Sequence, residues 1–251
     1  MSTAPTLAPA DALETVSSGI QAALDLLDAR TATAAAALGP TAMTGEETRR
    51  FLRELALTSP AVIDATAVSK DGVMLTVEPA AYAMVEGSDI SDQEQVQRLR
   101  TTQEPVMSAI FPTVEGVNAT DLEHPVFALS GEFNGSASLL FSPATLLEIA
   151  VQEALANRTV DVFVLDTSGF ILYDTDATGI GGNVFSDPFS VNNAGLLAVM
   201  KEIQTAPEGT GNYTFLQPGT GTTVRKEVRW TSVGLHGTDW RVVTANAAPV
   251  A

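Results

Sequence analysis

The stretch that most constrains the fold is Val160–Pro188, VDVFVLDTSGFILYDTDATGIGGNVFSDP. Val160 to Leu165 reads as a strand, Thr167, Ser168 and Gly169 supply turn chemistry, and Phe170 to Tyr173 reads as a second strand. Two strands joined by a short polar turn make a hairpin. It leaves into Asp174, Asp176, Gly179, Gly181 and Gly182, a loop too rich in glycine for regular structure. Phe185 and Pro188 close the loop before the next helical pattern. A hairpin followed by a long covering loop can frame a small-molecule pocket, although a fold by itself assigns none.

The same grammar occurs once before. Ala65–Leu75, ATAVSKDGVML, superposes on Val162–Leu172, VFVLDTSGFIL, with Gly72 on Gly169, Val73 on Phe170, Met74 on Ile171 and Leu75 on Leu172. A late hairpin is doubled too: Phe127–Phe141 and Trp230–Thr244 each carry two glycines between apolar runs. Two copies of a strand–turn–strand, helix, three-strand unit account for this most simply. Unrelated hairpins within one large mixed domain are the other reading.

In chain order, Asp11 with Glu14 makes a capping signature and Gly39-Pro40 a stop, so a long helix is expected between them. Leu13, Val16, Ile20, Ala23, Leu27 and Ala34 form a narrow, coiled-coil-like stripe on it, suited to packing along both units and also to pairing with a second chain. A second helix is expected from Thr44, capped against Glu47 and ended by Pro60, and a third where Ser91 caps against Glu94. Val106–Phe111, Pro125–Leu129 and Ala137–Phe141 read as the strands that finish the first unit. Ser142-Pro143 starts a bridging helix that runs to about Ala156. In the second unit Asn193–Gln204 is helical, with Leu196, Leu197, Met200 and Ile203 on one side. Tyr213–Leu216, Val224–Trp230 and Trp240–Thr244 read as its closing strands.

The 251 residues are 45% apolar, which is globular and sufficient for one large domain or two small ones. No run approaches a membrane span, and Met1–Ala10 is polar and proline-punctuated, unlike a signal peptide. Either a soluble protein or an ectodomain cut from its anchors fits. A net charge of −17 argues against nucleic acid and against anionic lipid as partners. With no cysteine there is no disulfide, thiolate nucleophile or zinc–sulfur site. Four Asn-X-Ser/Thr sequons, at Asn118, Asn134, Asn157 and Asn212, lean towards an outer surface.

Chemistry is sparse. His124 and His236 are the only histidines and neither stands in a metal-ligand spacing; His236 falls in an expected turn, facing solvent. Asp174-Thr-Asp176-Ala-Thr-Gly179 begins like a calcium loop, but Phe185 occupies the position of the bidentate glutamate, so the aspartates are read as loop-structuring. Glu115 and Glu132 have no nucleophile beside them, and no enzymatic activity, metal or cofactor is expected. Arg98 and Arg100 lie two positions apart on a helix, about 200° around its axis, so only one of them can face a pocket. Lys226 shares a strand face with Trp230, where it is either an inward contact near Asp174 or a surface ion pair.

The order of these elements resembles the double-Cache, or tandem PAS-like, sensor domain of chemoreceptors and sensor histidine kinases, and most of all its archaeal, methanogen-type versions. The resemblance is carried by Gly87–Asp92 (GSDISD), Glu104–Ser108 (EPVMS), Glu115-Gly116 and Gly131–Ser136 (GEFNGS). In the second unit it is carried by Gly169, Ile171–Asp174 (ILYD), Ile180-Gly181, Asn183–Phe185 (NVF) and Trp240–Val242 (WRV). It implies an α+β fold: a long N-terminal helix and two tandem PAS-like (Cache) units, each a mainly antiparallel sheet flanked by helices. The expected division is a spine helix over 11–43, a membrane-distal unit over 44–142, a connecting helix over 143–156 and a membrane-proximal unit over 157–247. It further implies an extracytoplasmic ligand-sensing ectodomain, attached to the membrane through segments outside this chain. A stand-alone surface binding or adhesion protein of the same fold is the alternative. The amino-acid-binding branch of the family uses an Arg, Trp, Tyr and Asp set in the distal unit. That unit here has no Trp and only Tyr82, so the ligand stays open.

A sensor pocket needs an apolar wall and a few converging polar groups. In the first unit Met107, either Ile110 or Phe111, Phe127 and Leu129 are candidates for the wall, and Tyr82, Arg98, Ser108, Glu115 and Ser130 for the polar groups. One cation, one carboxylate and several hydroxyls suit a small polar or anionic metabolite. In the second unit Tyr173, Asp174, Asn183, Lys226 and Trp230 either line a pocket or hold the loop over the sheet.

Overall fold

The computed structural model describes residues 9–156, 158, 160–216 and 221–248. Most of the polar opening segment and the sequon at Asn157 lie outside these residues. The helices are α1 (Pro9–Leu38), α2 (Glu46–Ala56), α3 (Glu94–Thr102), α4 (Pro143–Leu155), α5 (Pro188–Val191) and α6 (Ala194–Thr205). The strands are β1 (Val62–Ser69), β2 (Met74–Glu78), β3 (Val106–Met107), β4 (Phe111–Pro112), β5 (Asn118–Phe127) and β6 (Phe133–Phe141), followed by β7 (Asp161–Asp166), β8 (Ile171–Asp174), β9 (Gly209–Leu216), β10 (Thr223–Leu235) and β11 (Thr238–Ala248). No helix among them is long and apolar enough to cross a membrane.

The chain forms an α+β fold with two sheets. One runs β2-β1-β6-β5-β3, with β4 paired to β5; the other runs β8-β7-β11-β10-β9. In each, the first hairpin sits at one edge and its first strand pairs with the last strand of the unit. Two compact units result: residues 23–146 with 235–238, and residues 1–22 with 147–234 and 239–251. Each contains one sheet.

The doubled hairpin is deeper than the sequence alignment. Gly72 and Gly169 both stand at φ 87°, a left-handed conformation that favours glycine. Three residues before each glycine, a side-chain oxygen holds the turn: Ser69 Oγ accepts from the amides of Asp71 and Val73, and Asp166 Oδ1 from those of Ser168 and Phe170. A covering segment then bridges back to the residue after each glycine, Asp89 to Val73 and Asn183 to Phe170.

Helix α1 is more regular than its predicted stripe. Ala12, Val16, Ile20, Leu24, Leu27, Thr31, Ala34, Ala35 and Leu38 are buried, while Leu13 and Ala23 are only half-buried. The early spacings of four follow the 3.6-residue turn and not a 3.5-residue seam, so the buried line passes through Leu24. Near Gly19 the helix comes close to α4: a Cβ there would lie 3.7 Å from both Ala150 O and Ala154 Cβ.

Three predicted caps do not form: α1 already starts at Pro9, so Asp11 lies inside its first turn. Helix α2 starts after Gly45, at φ 88°, with no side-chain cap; the acidic Glu46 and Glu47 in its first turn favour the positive end of the helix dipole instead. Helix α3 starts after Gln93, because Ser91 lies in a turn where Asp89 Oδ1 takes its amide. By contrast Ser142 Oγ accepts from the Thr145 amide and Asn193 Oδ1 from that of Leu196, so α4 and α6 are capped by side chains.

The middle strands of the first sheet also differ from expectation. Val106–Phe111 is broken into β3 and β4, because Ser108 donates to Ala109 O and accepts from the Asp121 amide in between. Strand β5 begins at Asn118 and ends at Phe127, ahead of the expected Pro125–Leu129. Pro125 is tolerated inside it because β3 stops pairing at Glu123, leaving no donor required on that side.

Around the second sheet, Leu196, Val199, Met200 and Ile203 of α6 pack with Leu165, Val228, Trp230 and Val243. Trp230 donates its indole N–H to Ala206 O at 3.1 Å, so its polar edge is satisfied where the ring is buried.

Candidate functional site

Alternation along β5 sets the site. Leu122 and His124 face one way; Asp121 and Glu123 face the other, towards α3 and the β4 segment. Opposite Asp121 and Glu123 on β6 stand Leu140 and Ser138, and opposite these on β1 stand Asp64 and Thr66. Asp64 and Asp121 both pair across to Leu140, which sets them in one row over three strands. That row is the floor of a narrow pocket roofed by Ile90, Gln93, Phe111, Thr113, Val114 and Glu115, with Met74 at its side.

Three buried carboxyl groups therefore share one face. Asp121 Oδ1 accepts from Ser138 Oγ at 2.7 Å and Oδ2 from Gln95 Nε2 at 3.4 Å. Glu123 Oε2 accepts from Ser136 Oγ at 2.7 Å, and Asp64 Oδ1 from Thr66 Oγ1 at 2.9 Å. Asp64 Oδ2 and Glu123 Oε1 are buried with no donor to them. Burial, followed by the charge of Glu115, pushes Asp64 well above the usual carboxylate range. Burial and the neighbouring Asp121 do the same to Glu123. Asp121 is raised by burial too, against the hydrogen bonds from Glu123, Ser138 and Gln95 that favour its anion. None of the residues lining the pocket is Lys, Arg or His.

The expected site residues of this unit divide. Glu115 and the wall candidate Phe111 line the pocket. Tyr82 is half-buried against Val68, Met74, Val77, Val85, Ile90 and Val96, beside it. Ser108 is buried and spends its hydroxyl on the β3–β5 connection. Arg98 donates to Met107 O at 2.9 Å and pairs with Glu94 at 3.4 Å. The one cation expected to meet an anionic ligand is thus engaged elsewhere. Phe127 stacks edge-on with Phe133, and Leu129 and Ser130 are exposed in the β5–β6 turn, so these three stand outside the pocket. The reason is the extent of β5: its pocket face is the Asp121–Glu123 segment, ahead of the expected strand Pro125–Leu129. Asp64, Asp121, Glu123 and Gln95 were missed. The available signal was Asp and Glu recurring at alternate positions within apolar strand sequence, TDLEHPVF and VIDATAV.

In the other unit, Asn183 donates to Ser168 O and accepts from the Phe185 amide, and Asp174 accepts from the Asp176 amide. Burial raises Asp174 to about 6. Tyr173 is buried in β8, and burial raises it as well. Lys226 forms an ion pair with Asp161, beside Tyr213 on β9. Tyr213 is pushed up to about 12 by burial and by the charges of Asp161 and Asp174. Trp230 belongs to the core. A shallow groove of about 660 Å³ between α5 and β9 is larger than the acidic pocket. Its lining, which includes Phe189, Asn193, Phe215 and Leu216, has no ionisable group, so it offers bulk without directional chemistry.

The two histidines, distant in sequence, meet on the opposite face of the first sheet. His124 Nε2 and His236 Nε2 each lie 2.6 Å from Asp28 Oδ1. His236 is therefore not a free solvent-facing turn residue.

An apolar-roofed pocket with converging polar groups, on a five-strand antiparallel order repeated twice, is the arrangement to compare with known proteins. Residues 22–143 match the family described as HK/GC/Chemotaxis protein-like, sensor domain. No curated protein matches the chain. Among solved structures, an extracellular ligand binding receptor from Desulfohalobium retbaense is 32% identical with a TM-score of 0.78, over 93% of this chain and 39% of that one. The chain thus spans about two fifths of that protein's length. The ligand-binding domain of the Pseudomonas aeruginosa amino acid chemoreceptor PctC, solved with GABA, is 18% identical, covers 93% of this chain and 96% of its own, and has a TM-score of 0.64. That of the Pseudomonas fluorescens chemoreceptor CtaA, solved with L-serine, is 16% identical over 93% of each chain, again at 0.64. The chain is similar over most of its length to extracellular ligand-binding sensor domains. The organisms named give the methanogen-type reading no support.

Proposed function

We propose that this chain is the extracytoplasmic sensing part of a membrane receptor, and that the pocket on the first sheet binds a small molecule carrying a protonated amine. One observation carries the ligand class: Asp64, Asp121 and Glu115 line a pocket with no cation among its lining residues, and Asp64 Oδ2 is buried without a donor. An ammonium supplies both the missing charge and the missing N–H. The pocket encloses about 20 Å³, room for about one water. Ligand entry therefore requires the exposed Thr113–Val117 turn to swing aside. Neighbours solved with GABA and L-serine, each an amine that also carries a carboxylate, support the amine part of this reading. An anionic metabolite, the class suggested by Arg98, would meet like charge here. The unit around residues 44–142 is the ligand-binding, membrane-distal one in this reading, and 157–247 the proximal relay. The module binds and does not turn over; its membrane segments and signalling domains lie outside these residues.

Matched ligand pairs test it. 4-Aminobutyrate and butyrate differ only in the amine, and 1,4-diaminobutane differs from 1,4-butanediol only in carrying amines where the diol has hydroxyls. Thermal-shift screening and calorimetry should find stabilisation by amines alone, lost in Asp64→Asn and Asp121→Asn. Equal stabilisation by the deaminated partners, or binding unaltered in both variants, would refute the assignment.

A further inference from the structure

We propose that Asp28, His124 and His236 form a binding site for a divalent transition-metal ion of the zinc class, on the sheet face opposite the acidic pocket. The three come from separate elements of one unit: Asp28 from α1, His124 from β5, and His236 from the 235–238 turn. The chain has only two histidines, and both point Nε2 at the same carboxylate oxygen across separations of 96 and 208 residues. The imidazole rings stand 5.7 Å apart at 85°, so their nitrogens converge without stacking. All three ligand atoms lie within 4.8 Å of one another.

Two imidazole nitrogens and one carboxylate oxygen are a recurrent ligand set for such ions, with bonds of about 2.0–2.2 Å and the fourth position left to water or to an incoming ligand. Around a tetrahedral ion of those bond lengths, ligand atoms stand about 3.3 Å apart. From 2.6 Å each Asp28–His contact has to open by under about 1 Å, while the two imidazole nitrogens, within 4.8 Å of each other, settle to the same spacing. Access exists from the outside: the side chains of Asp28 and His236 keep 26% and 23% of their surface exposed, while His124, at 10%, anchors the inner side.

The turn that delivers His236 is built for it. His236 and Gly237 are the two loop residues between β10 and β11, with φ of 51° and 86°. Positive φ at both positions is the type I′ hairpin pattern, usually filled by Asn-Gly. Histidine tolerates the left-handed region better than most residues, though less readily than glycine. The site rests on residues outside the acidic pocket and is independent of the amine-sensing proposal.

Titration of chelator-treated full chain with Zn²⁺ by calorimetry is the test, with Co²⁺ as a spectroscopic probe. One ion should bind per chain, and Co²⁺ should give the visible absorption of a low-coordinate nitrogen–oxygen site. His236→Gln and Asp28→Asn should each weaken Zn²⁺ binding at least tenfold with an unchanged circular dichroism spectrum. His236 sits in an exposed turn, so that variant keeps the test sound if Asp28→Asn fails to fold. Binding that is absent, or sub-stoichiometric, or undiminished in His236→Gln overturns the site.

Discussion

At the residue scale the governing fact is that Asp64, Asp121 and Glu123 are buried on one face with more negative charge than donors. An acid whose folded-state pKa is raised stabilises the fold below its unfolded value and loses that contribution as pH rises through the folded one. Asp64 and Glu123 are both raised, so ligand-free protein should melt lower as pH climbs from about 4 towards 8. Asp64→Asn removes one charge and keeps an acceptor for Thr66. Its melting temperature should exceed wild type at pH 8 and converge with it near pH 4, which thermal melts at the two pH values will read. A wild-type advantage at pH 8 without ligand would contradict the raised pKa. A different kind of residue constraint sits at Gly209, where a Cβ would lie 2.2 Å from the Trp230 ring. Trp230 is buried and cannot yield, so Gly209→Ala should cost about 1–3 kcal/mol in urea melts and alter tryptophan fluorescence.

At the scale of the element, periodicity decides what burial means. The stripe read from α1 passed through Ala23; the helix buries Leu24 completely and leaves Ala23 half-exposed. Leu24→Ala should therefore destabilise by about 2–5 kcal/mol in denaturant melts, while Ala23→Ser should stay within about 0.5 kcal/mol. The hairpins were legible because turn chemistry is local: Gly72 and Gly169 announce a left-handed position, and apolar runs flank them. The helix start capped by Ser142 was legible for the same reason. The caps at Thr44 and Ser91 were not, since a capping pattern states only that a bond can form, and Gly45 and Asp89 offered the backbone another route. The acidic pocket escaped for a tertiary reason. Asp121 and Glu123 look like loop residues until β6 and β3 pair on either side of them. The Asp28–His124–His236 cluster was beyond any spacing argument, because three elements far apart in sequence supply it.

For the whole molecule, charge outweighs any single contact. Thirty acidic residues against thirteen basic ones leave −17, and the fold brings several of these acids into one pocket. Ion pairs relieve part of this: Arg49 joins Glu86 at 2.8 Å and the buried Glu78 at 3.5 Å, and Arg53 joins Glu78 at 3.3 Å. The surplus is nonetheless one-signed, and self-repulsion of that kind works against the compact state. At about 0.01 M salt the Debye length is roughly 30 Å, so charges across an entire unit repel one another; at about 1 M it is roughly 3 Å and only contacts remain. Screening weakens the favourable exposed pairs as well, but those contribute only about 0–1 kcal/mol each. The net effect of salt should therefore be stabilising. The melting temperature is expected to rise by several degrees between 10 mM and 1 M NaCl, and KCl should act equally at the same ionic strength. A specific cation site would break that equality at low millimolar concentration, whereas screening follows ionic strength alone. Scanning calorimetry across both salts reads the distinction directly. A melting temperature that falls with salt would mean that the ion pairs around Glu78 outweigh the repulsion of the rest of the chain.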